Sequence, residues 1–485
     1  MDSRVTRKAL LAGLAGAMLA LAMPGIGFGP LVFVALVPLF LALEGRGGFW
    51  VGCLAGAAFF AIDLRWILTL VRFSWLAAPG YVVGVAYLAL YFGVFGVVVA
   101  WARRRLGPTA ALLLLAPALF VLLEILRTLG PLGMGFSGLH TALYRIPALI
   151  QLAALAGPWA VSLGIVVVNA ALTLSLRVSR NHALWGALTL AAMAGVALLP
   201  IAPDGDAYRT AILASQVRQE VKLDGRNLDA LLARYQALAA EAASGEPDLI
   251  VFPESFLPGF ILSNDRLLGS LVDLARGAEA RILFGTGDYR GGEIYNSAVL
   301  LSQEGEQLGR YDMVRPVPFG EWIPARGFLD FIGLGRFISS FLPRDLSRGD
   351  GYHPLDGIGT PICFETTFPE ASCAFARRGA TQIISVTNDA WFANSSAMRA
   401  HFAAAVFRAV ETRRTFIQSA NGGVSGVVDA RGRIVREVVG EEVVWADAPV
   451  RVDRSLYVRW GDRPLLGVCL LLALGSLLFR RRTAA

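Results

Sequence analysis

The stretch DLIVFPE, residues 248–254, places four apolar residues between an aspartate and a Pro-Glu pair. A run this short suits a buried strand rather than a helix, and proline then ends the ladder. Glu254 therefore stands just beyond a strand. The pattern recurs in TAILASQ (210–216), RILFGTGDY (281–289), NSAVLLS (296–302), TPICFE (360–365), QIISVTNDAW (382–391) and GVSGVVD (423–429). Segments of helical composition separate some of these runs, NLDALLARYQALAAEAAS (227–244) and AMRAHFAAAVFRAVETRR (397–414). The first is expected to begin at an Asn227 cap and to stop before Gly245. Strands alternating with helices predict an α/β domain around a buried central sheet. Polar residues beyond strand ends mark the usual site position in such a domain. Glu254, Cys363 and the NDAW stretch (388–391) lie there, and Glu321 closes RPVPFGEWIP (315–324), whose prolines predict a rigid loop. A thiol near a carboxylate is deprotonated into a nucleophile, and the acid later hands the proton to a leaving group. The competing assignments are a buried apolar cysteine and solvated surface acids.

Outside this region the composition changes. The chain of 485 residues is 55% hydrophobic, and its mean hydropathy is +0.57. The excess lies in residues 9–202 and 464–479. A membrane span takes about 20 apolar residues. Candidates fall near 9–23, 27–43, 50–71, 81–101, 108–126, 149–176, 183–202 and 464–479. Residues 1–202 are thus expected to form a membrane domain with seven transmembrane helices, 203–463 an extramembrane domain, and 464–485 an eighth helix with a basic tail. The first span follows Arg4, Arg7 and Lys8 without a convincing cleavage site, so it reads as retained. Basic residues orient the chain. With the N-terminus inside, Arg4, Arg7, Lys8, Arg46, Arg103–Arg105, Arg177, Arg180 and Arg480–Arg482 face the cytoplasm, against only Arg72, Arg127 and Arg145 outside. Residues 203–463 then lie beyond the cytoplasmic membrane.

The formal charge of +7 is a product of this topology. Residues 203–463 carry 28 basic and 33 acidic side chains, the remainder 16 and 4, so no nucleic-acid partner is expected. Only two of the 44 basic residues are lysines, Lys8 and Lys222. Four cysteines do not make a disulfide framework, although Cys363 and Cys373 are spaced to pair in an oxidising compartment. Neither metal-ligand spacing nor a P-loop is present, and no cofactor is expected. Asp63, Arg65, Glu124 and Arg127 fall within spans, where ionisable groups pair or serve function; Glu124 and Arg127 have contact spacing. Trp66 and Trp75 suit an interfacial aromatic belt.

FPESFLPG, IYNSAVLL, VPFGEWIP, ICFETTFPE, NDAWF and SANGGVSGVVDARGRI, taken in order, resemble segments of the nitrilase superfamily. Within it they resemble the bacterial apolipoprotein N-acyltransferase family, as does LLEILRTLGPLGMGFSGL (122–139) in the membrane part. The resemblance implies an α-β-β-α sandwich with a Glu–Lys–Cys triad. It implies that Cys363 takes an acyl chain from a phospholipid as a thioester and passes it to the amine of an S-diacylglyceryl-cysteine on a lipoprotein. Glu254 corresponds to the base, and Glu321 and Glu365 to supporting acids. The implied protein is a monomer of the bacterial inner membrane with a periplasmic catalytic domain.

The match departs at the triad lysine, whose position holds Met313. Lys222, in QEVKLDG, resembles part of a mobile loop and is not expected to replace it; Arg315 is ordinary for its place. Leu223, Phe364 and Ala393 stand where the family usually has Trp, Tyr and Gly. Three other readings follow: a catalytically impaired lipid- or lipoprotein-binding homologue, a membrane-tethered amidase, and a Cys–His–Asp hydrolase using His353 or His401.

Overall fold

The computed structural model describes residues 3–392 and 394–478, so Ala393 and the Arg480–Arg482 tail lie outside the described residues. The chain divides into two compact units, Met1–Pro200 with Trp460–Ala485, and Ile201–Arg459.

The first unit is helical. Among the described residues six helices are long and apolar enough to cross a membrane: Ser3–Ala22, Gly48–Arg72, Ala77–Leu106, Pro108–Leu126, Pro158–Arg177 and Arg180–Leu198. Three of the eight expected spans differ. Gly29–Ala42 and Arg463–Ser476 are shorter apolar helices, and the 149–176 run is divided at Gly157–Pro158 into Pro147–Ala156 and Pro158–Arg177. Proline lacks the N–H that a continuous helix needs there. Glycines set the closest packing. A Cβ at Gly52 would lie 2.0 Å from the Phe92 carbonyl oxygen, and one at Gly48 would lie 2.4 Å from that of Gly96. Small residues four apart thus let two helices meet backbone to backbone. The intramembrane charges bind the segment after Leu126 instead of simply pairing with each other. Glu124 accepts from the Leu139 N–H at 2.8 Å, Arg127 donates to the Phe136 carbonyl at 2.6 Å, and Asp63 accepts from Ser137 at 2.5 Å. Trp66 is buried against Phe136 and so does not belong to the aromatic belt; Trp75 is exposed.

The second unit holds two sheets. Strands β1 (Ala207–Ala214), β2 (Leu249–Val251), β3 (Arg281–Arg290), β4 (Glu293–Leu301), β5 (Gln307–Asp312) and β11 (Glu442–Pro449) form one, in the order β11-β1-β2-β3-β4-β5. Strands β6 (Ile358–Gly359), β7 (Gln382–Asn388), β8 (Phe416–Asn421), β9 (Ser425–Val428) and β10 (Ile434–Val438) form the other, in the order β10-β9-β8-β7-β6. β1, β2 and β3 run parallel, as do β6, β7 and β8, so both strand sets send their C-terminal ends to one side. Ser419 on β8 donates to the carbonyls of Leu213 on β1 and Val251 on β2, tying sheet to sheet.

Helices Leu228–Ala243 and Asp265–Ala278 cover the first sheet, enclosing Leu231, Tyr235, Phe252, Phe256, Ile282 and Phe284. Each such side chain contributes about 1.5–3 kcal/mol by leaving water. Helices Pro369–Arg377 and Ser396–Thr412 pack on the second sheet. The layers are therefore helix, sheet, sheet, helix. Asn227 precedes its helix as expected but does not cap it, because its side chain donates to the Val221 carbonyl. The 360–365 run is not the expected strand. Ile362 bridges Val386, and the chain then winds into a 3-10 turn, Cys363–Thr367.

Candidate active site

Cys363 opens that turn with a φ of +46°, a conformation L residues rarely hold. Such strain persists only where the surroundings fix it. The helix Ser396–Thr412 does so from one face. His401 Nε2 lies 2.8 Å from the Cys363 carbonyl, and Arg408, two turns on, donates to the Thr366 carbonyl at 3.1 Å. The other ring nitrogen of His401 is 2.9 Å from Asp389, which is fully buried. A carbonyl has no proton to give, so Nε2 carries one; a further proton lies between Nδ1 and Asp389. Burial disfavours the imidazolium, but Asp389 and the Cys363 carbonyl outweigh it, leaving the His401 pKa above its ordinary value.

Glu365 holds the turn from the other side. Its carboxylate accepts from the Ile362, Val314 and Arg315 N–H groups at 3.0, 2.8 and 3.0 Å and from the Tyr311 hydroxyl. Burial nevertheless raises its pKa to about 7. These donors occupy Glu365 and tie it to the turn that carries Cys363.

Glu254 lies just beyond β2 and is buried. Asn296 donates to one of its oxygens at 2.7 Å, the other oxygen has no hydrogen-bond partner among the described residues, and the Cys363 thiol is near enough to favour its charge. Burial raises the Glu254 pKa, Asn296, Cys363 and Lys222 acting against it. Gly285 on β3 makes room: a Cβ there would stand 2.6 Å from the Glu254 Cα. Asn296 also donates to Glu321 at 3.1 Å, whose second oxygen accepts from the Val317 N–H at 2.7 Å. Burial, reinforced by Glu254, raises Glu321 to about 7. The Cys363 thiol is pushed well above its usual value by burial and by Glu254 and Asp389, while the Asn388 backbone favours the thiolate. As a resting species it is a thiol, ionised only when a proton acceptor and a cation act together.

Met313 is buried beside these groups, its sulfur 3.8 Å from the Asn296 amide nitrogen. It supplies no charge. Arg315 is directed elsewhere, over the Phe368 ring at 3.8 Å and toward Glu370. Lys222 overturns its expected place in a mobile loop. It is buried in the short helix Gln219–Leu223, and its Nζ lies 3.4 Å from the Glu254 carbonyl oxygen. Cys363 and Cys373 are both free thiols, Cys373 packing in a small apolar cluster with Ala376, Tyr457 and Val458. Phe364 is buried edge-on against Phe368. His353 is exposed, beside Asp350.

Glu254, Cys363, Glu321, Glu365 and Met313 thus come together as a group. Sequence reasoning gave no role to Asn296 or Asp389, and it gave His401 only a weak one. The spacing of His401 and Arg408, seven residues apart on one helix, carries the signal that would have paired them. Cys363, Asp389 and His401 each offer a ligand atom within 4.8 Å of the others, as a metal site would. Both ring nitrogens of His401 face hydrogen-bonding partners instead, which favours the turn-holding role.

A half-buried thiol on a strained turn, a buried carboxylate near it and two facing sheets are the features of the carbon–nitrogen hydrolase class, here joined to a bundle of membrane-crossing length. Comparison with known proteins agrees. Residues 15–171 match the apolipoprotein N-acyltransferase N-terminal domain, and residues 214–449 match the carbon-nitrogen hydrolase domain. The Geobacter metallireducens apolipoprotein N-acyltransferase is 33% identical over 95% of this chain and 93% of its own length. That of Azotobacter vinelandii is 32% identical over 98% and 95%. A solved structure of the Nesterenkonia AN1 amidase, from the nitrilase superfamily, covers 55% of this chain and 98% of its own at 20% identity and a TM-score of 0.40. The chain belongs to the apolipoprotein N-acyltransferase family, and is an acyltransferase of carbon–nitrogen hydrolase type.

Proposed function

We propose that this chain moves a fatty acyl group from a membrane phospholipid, through a thioester on Cys363, to the α-amine of an S-diacylglyceryl-cysteine at a lipoprotein N-terminus. The observation that carries this reading is a buried Glu254 carboxylate, one oxygen unpartnered, placed near the Cys363 thiol in a chain with six described helices of membrane-crossing length. Glu254 takes the thiol proton as sulfur attacks the ester carbonyl. The tetrahedral oxyanion collapses, breaking the ester C–O bond, and Glu254 returns the proton to the departing lysophospholipid alkoxide. In the second half the amine attacks the thioester carbonyl, Glu254 accepts its proton, and the Cys363 thiolate leaves and is reprotonated. Glu321 shares the Asn296 amide with Glu254, and Glu365 fixes the turn. Each acyl CH₂ is worth ~0.8 kcal/mol in the bilayer, so both substrates stay there. An enzyme joined at both ends to membrane helices suits them, whereas an amidase of small molecules has no use for these helices. The unpartnered Glu254 oxygen near the thiol likewise argues against an impaired binding homologue.

In this reading residues 1–202 make seven passes, Gly29–Ala42 serving as a short one; 203–463 form the catalytic domain, and 464–485 the last pass and tail. The excess of basic residues in alternate loops supports cytoplasmic termini in a bacterial inner membrane and a periplasmic catalytic domain. The enzyme works as a monomer without nucleic acid or cofactor. Intact-mass analysis after incubation with phosphatidylethanolamine vesicles tests the first step. One acyl group is expected on Cys363, with release of the lysophospholipid, and loss of the adduct on addition of a diacylglyceryl-cysteine peptide as the peptide gains an amide. An unmodified chain, or an adduct that survives Cys363→Ala, overturns the proposal.

A further inference from the structure

The acid-rich pocket around Cys363 needs a positive charge, and Met313 leaves its source open. Glu254, Glu321 and Asp389 all work against the thiolate. Asp389 is matched by His401, and Arg315 is engaged with Phe368 and Glu370. Glu254 and Glu321 remain. Lys222 is the one lysine in residues 203–463. A primary amine is rarely buried without a task, because losing its water is costly. Here Lys222 keeps only 4% of its surface, while its neighbour Leu223 is 61% exposed. The short helix therefore turns the charged side chain inward and the apolar one outward, the reverse of what hydrophobicity alone would choose.

The chain leading to Lys222 is anchored to the site. The Asn421 side chain bonds both the N–H and the carbonyl of Val217, at 2.9 and 3.0 Å. Gln219 accepts from Asn388 at 3.0 Å, and Asn421 also donates to Asn388. Asn388 is the residue whose backbone faces the thiol. Two asparagines at the ends of β7 and β8 thereby hold the Lys222 segment beside Cys363. The ammonium bonds the Glu254 carbonyl, and the charges it senses are those of Glu254 and Cys363.

We propose that Lys222, reaching in from the connection after β1, is the ammonium of the acyl-transfer site, supplying the charge that Met313 does not. It favours the Cys363 thiolate when the proton passes to Glu254, and it stabilises the oxyanion of each tetrahedral intermediate. This assignment rests on the thioester chemistry proposed above, but its test separates the two.

The rate of Cys363 alkylation by iodoacetamide, followed against pH in the detergent-solubilised full-length protein, reports the thiolate without any lipid. Thioester formation from phosphatidylethanolamine reports the reaction. Lys222→Met is expected to move the alkylation profile to higher pH and to slow thioester formation by ~10²–10³, the usual cost of losing one oxyanion-stabilising group. Met313→Lys in the same chain is expected to restore both. In the protein with Lys222 intact, Met313→Lys is expected to raise the rate by less than about tenfold, because the charge is already present. Three results overturn the inference: an alkylation profile unmoved by Lys222→Met, failure of Met313→Lys to rescue folded Lys222→Met protein, or a hundredfold gain from Met313→Lys alone. The last needs no change at Lys222, so it decides the matter even if Lys222→Met does not fold. A shifted alkylation profile in a protein that forms no thioester refutes the substrate while upholding the role of Lys222.

Discussion

Replacing His401 by leucine tests how the nucleophile is held. The imidazole touches Asp389 with one nitrogen and the Cys363 carbonyl with the other, and it is buried. Leucine is close in volume and removes both bonds. Asp389 is fully buried, and its second oxygen has no hydrogen-bond partner, so its carboxylate would be left with no donor to it. Breaking a buried pair from one side costs about 3–5 kcal/mol. For a unit of this size each kcal/mol lowers the melting temperature by about 2–4 °C, which gives a fall of roughly 6–20 °C. Asp389→Asn provides the contrast. Its amide donates to Nδ1 while Nε2–H still reaches the Cys363 carbonyl, so two neutral bonds survive and the loss stays near 1 kcal/mol. Thermal melting of the full-length protein in detergent measures both. The released turn also lets Cys363 leave its φ of +46°, so His401→Leu is expected to slow alkylation and thioester formation together. A melting temperature lowered by less than about 3 °C in His401→Leu, or an equal loss in Asp389→Asn, would refute the reasoning.

Glu321 has a pKa raised by burial to about 7, from an ordinary 4.5. A raised folded-state pKa contributes stability that is complete below the unfolded value and lost as pH rises through the folded one. The unit should therefore lose stability between about pH 4.5 and 7, and Glu321→Gln should flatten that part of the melting-temperature profile; an unchanged slope would count against it. Cys373→Ala should keep the acyl adduct, because that thiol packs among apolar side chains, and its loss in a folded protein would refute a purely packing role. Gly52→Ile should prevent assembly of the helical unit, seen as aggregation on size exclusion, since its Cβ would fall 2.0 Å from the Phe92 carbonyl oxygen.

The two sheets were legible where their strands are buried on both faces, because LIVF, AILA and IISV are unbroken apolar runs. β5, β8, β10 and β11 escaped notice; β8, FIQSAN, is fully buried, but its glutamine, serine and asparagine break the apolar run. QLGRYD and IVREV carry charges that an edge strand tolerates, and they read as loops without the pairing partner. The acids and the thiol were found because strand ends concentrate chemistry. Asn296 lay inside a recognised strand, and nothing local distinguishes an asparagine holding two carboxylates from one facing water. The burial of Lys222 was not legible for a related reason. Its inward direction depends on Asn388 and Asn421, which lie 166 and 199 residues further along the chain. Trp66 looked interfacial until Phe136 closed over it, again a long-range contact.

The single amide of Asn296, with one hydrogen for Glu254 and one for Glu321, binds two acids into one titrating unit. Neighbouring carboxylates repel, so the second ionises less readily than the first. A proton arriving from the thiol thus finds a place without changing the charge of the pocket as a whole. In the proposed cycle the acid pair takes one proton from the thiol and yields it to the lysophospholipid, then takes one from the amine and yields it to the thiolate. One proton leaves with each lysophospholipid and one enters with each amine, so the pocket ends a full cycle with the charge it began with.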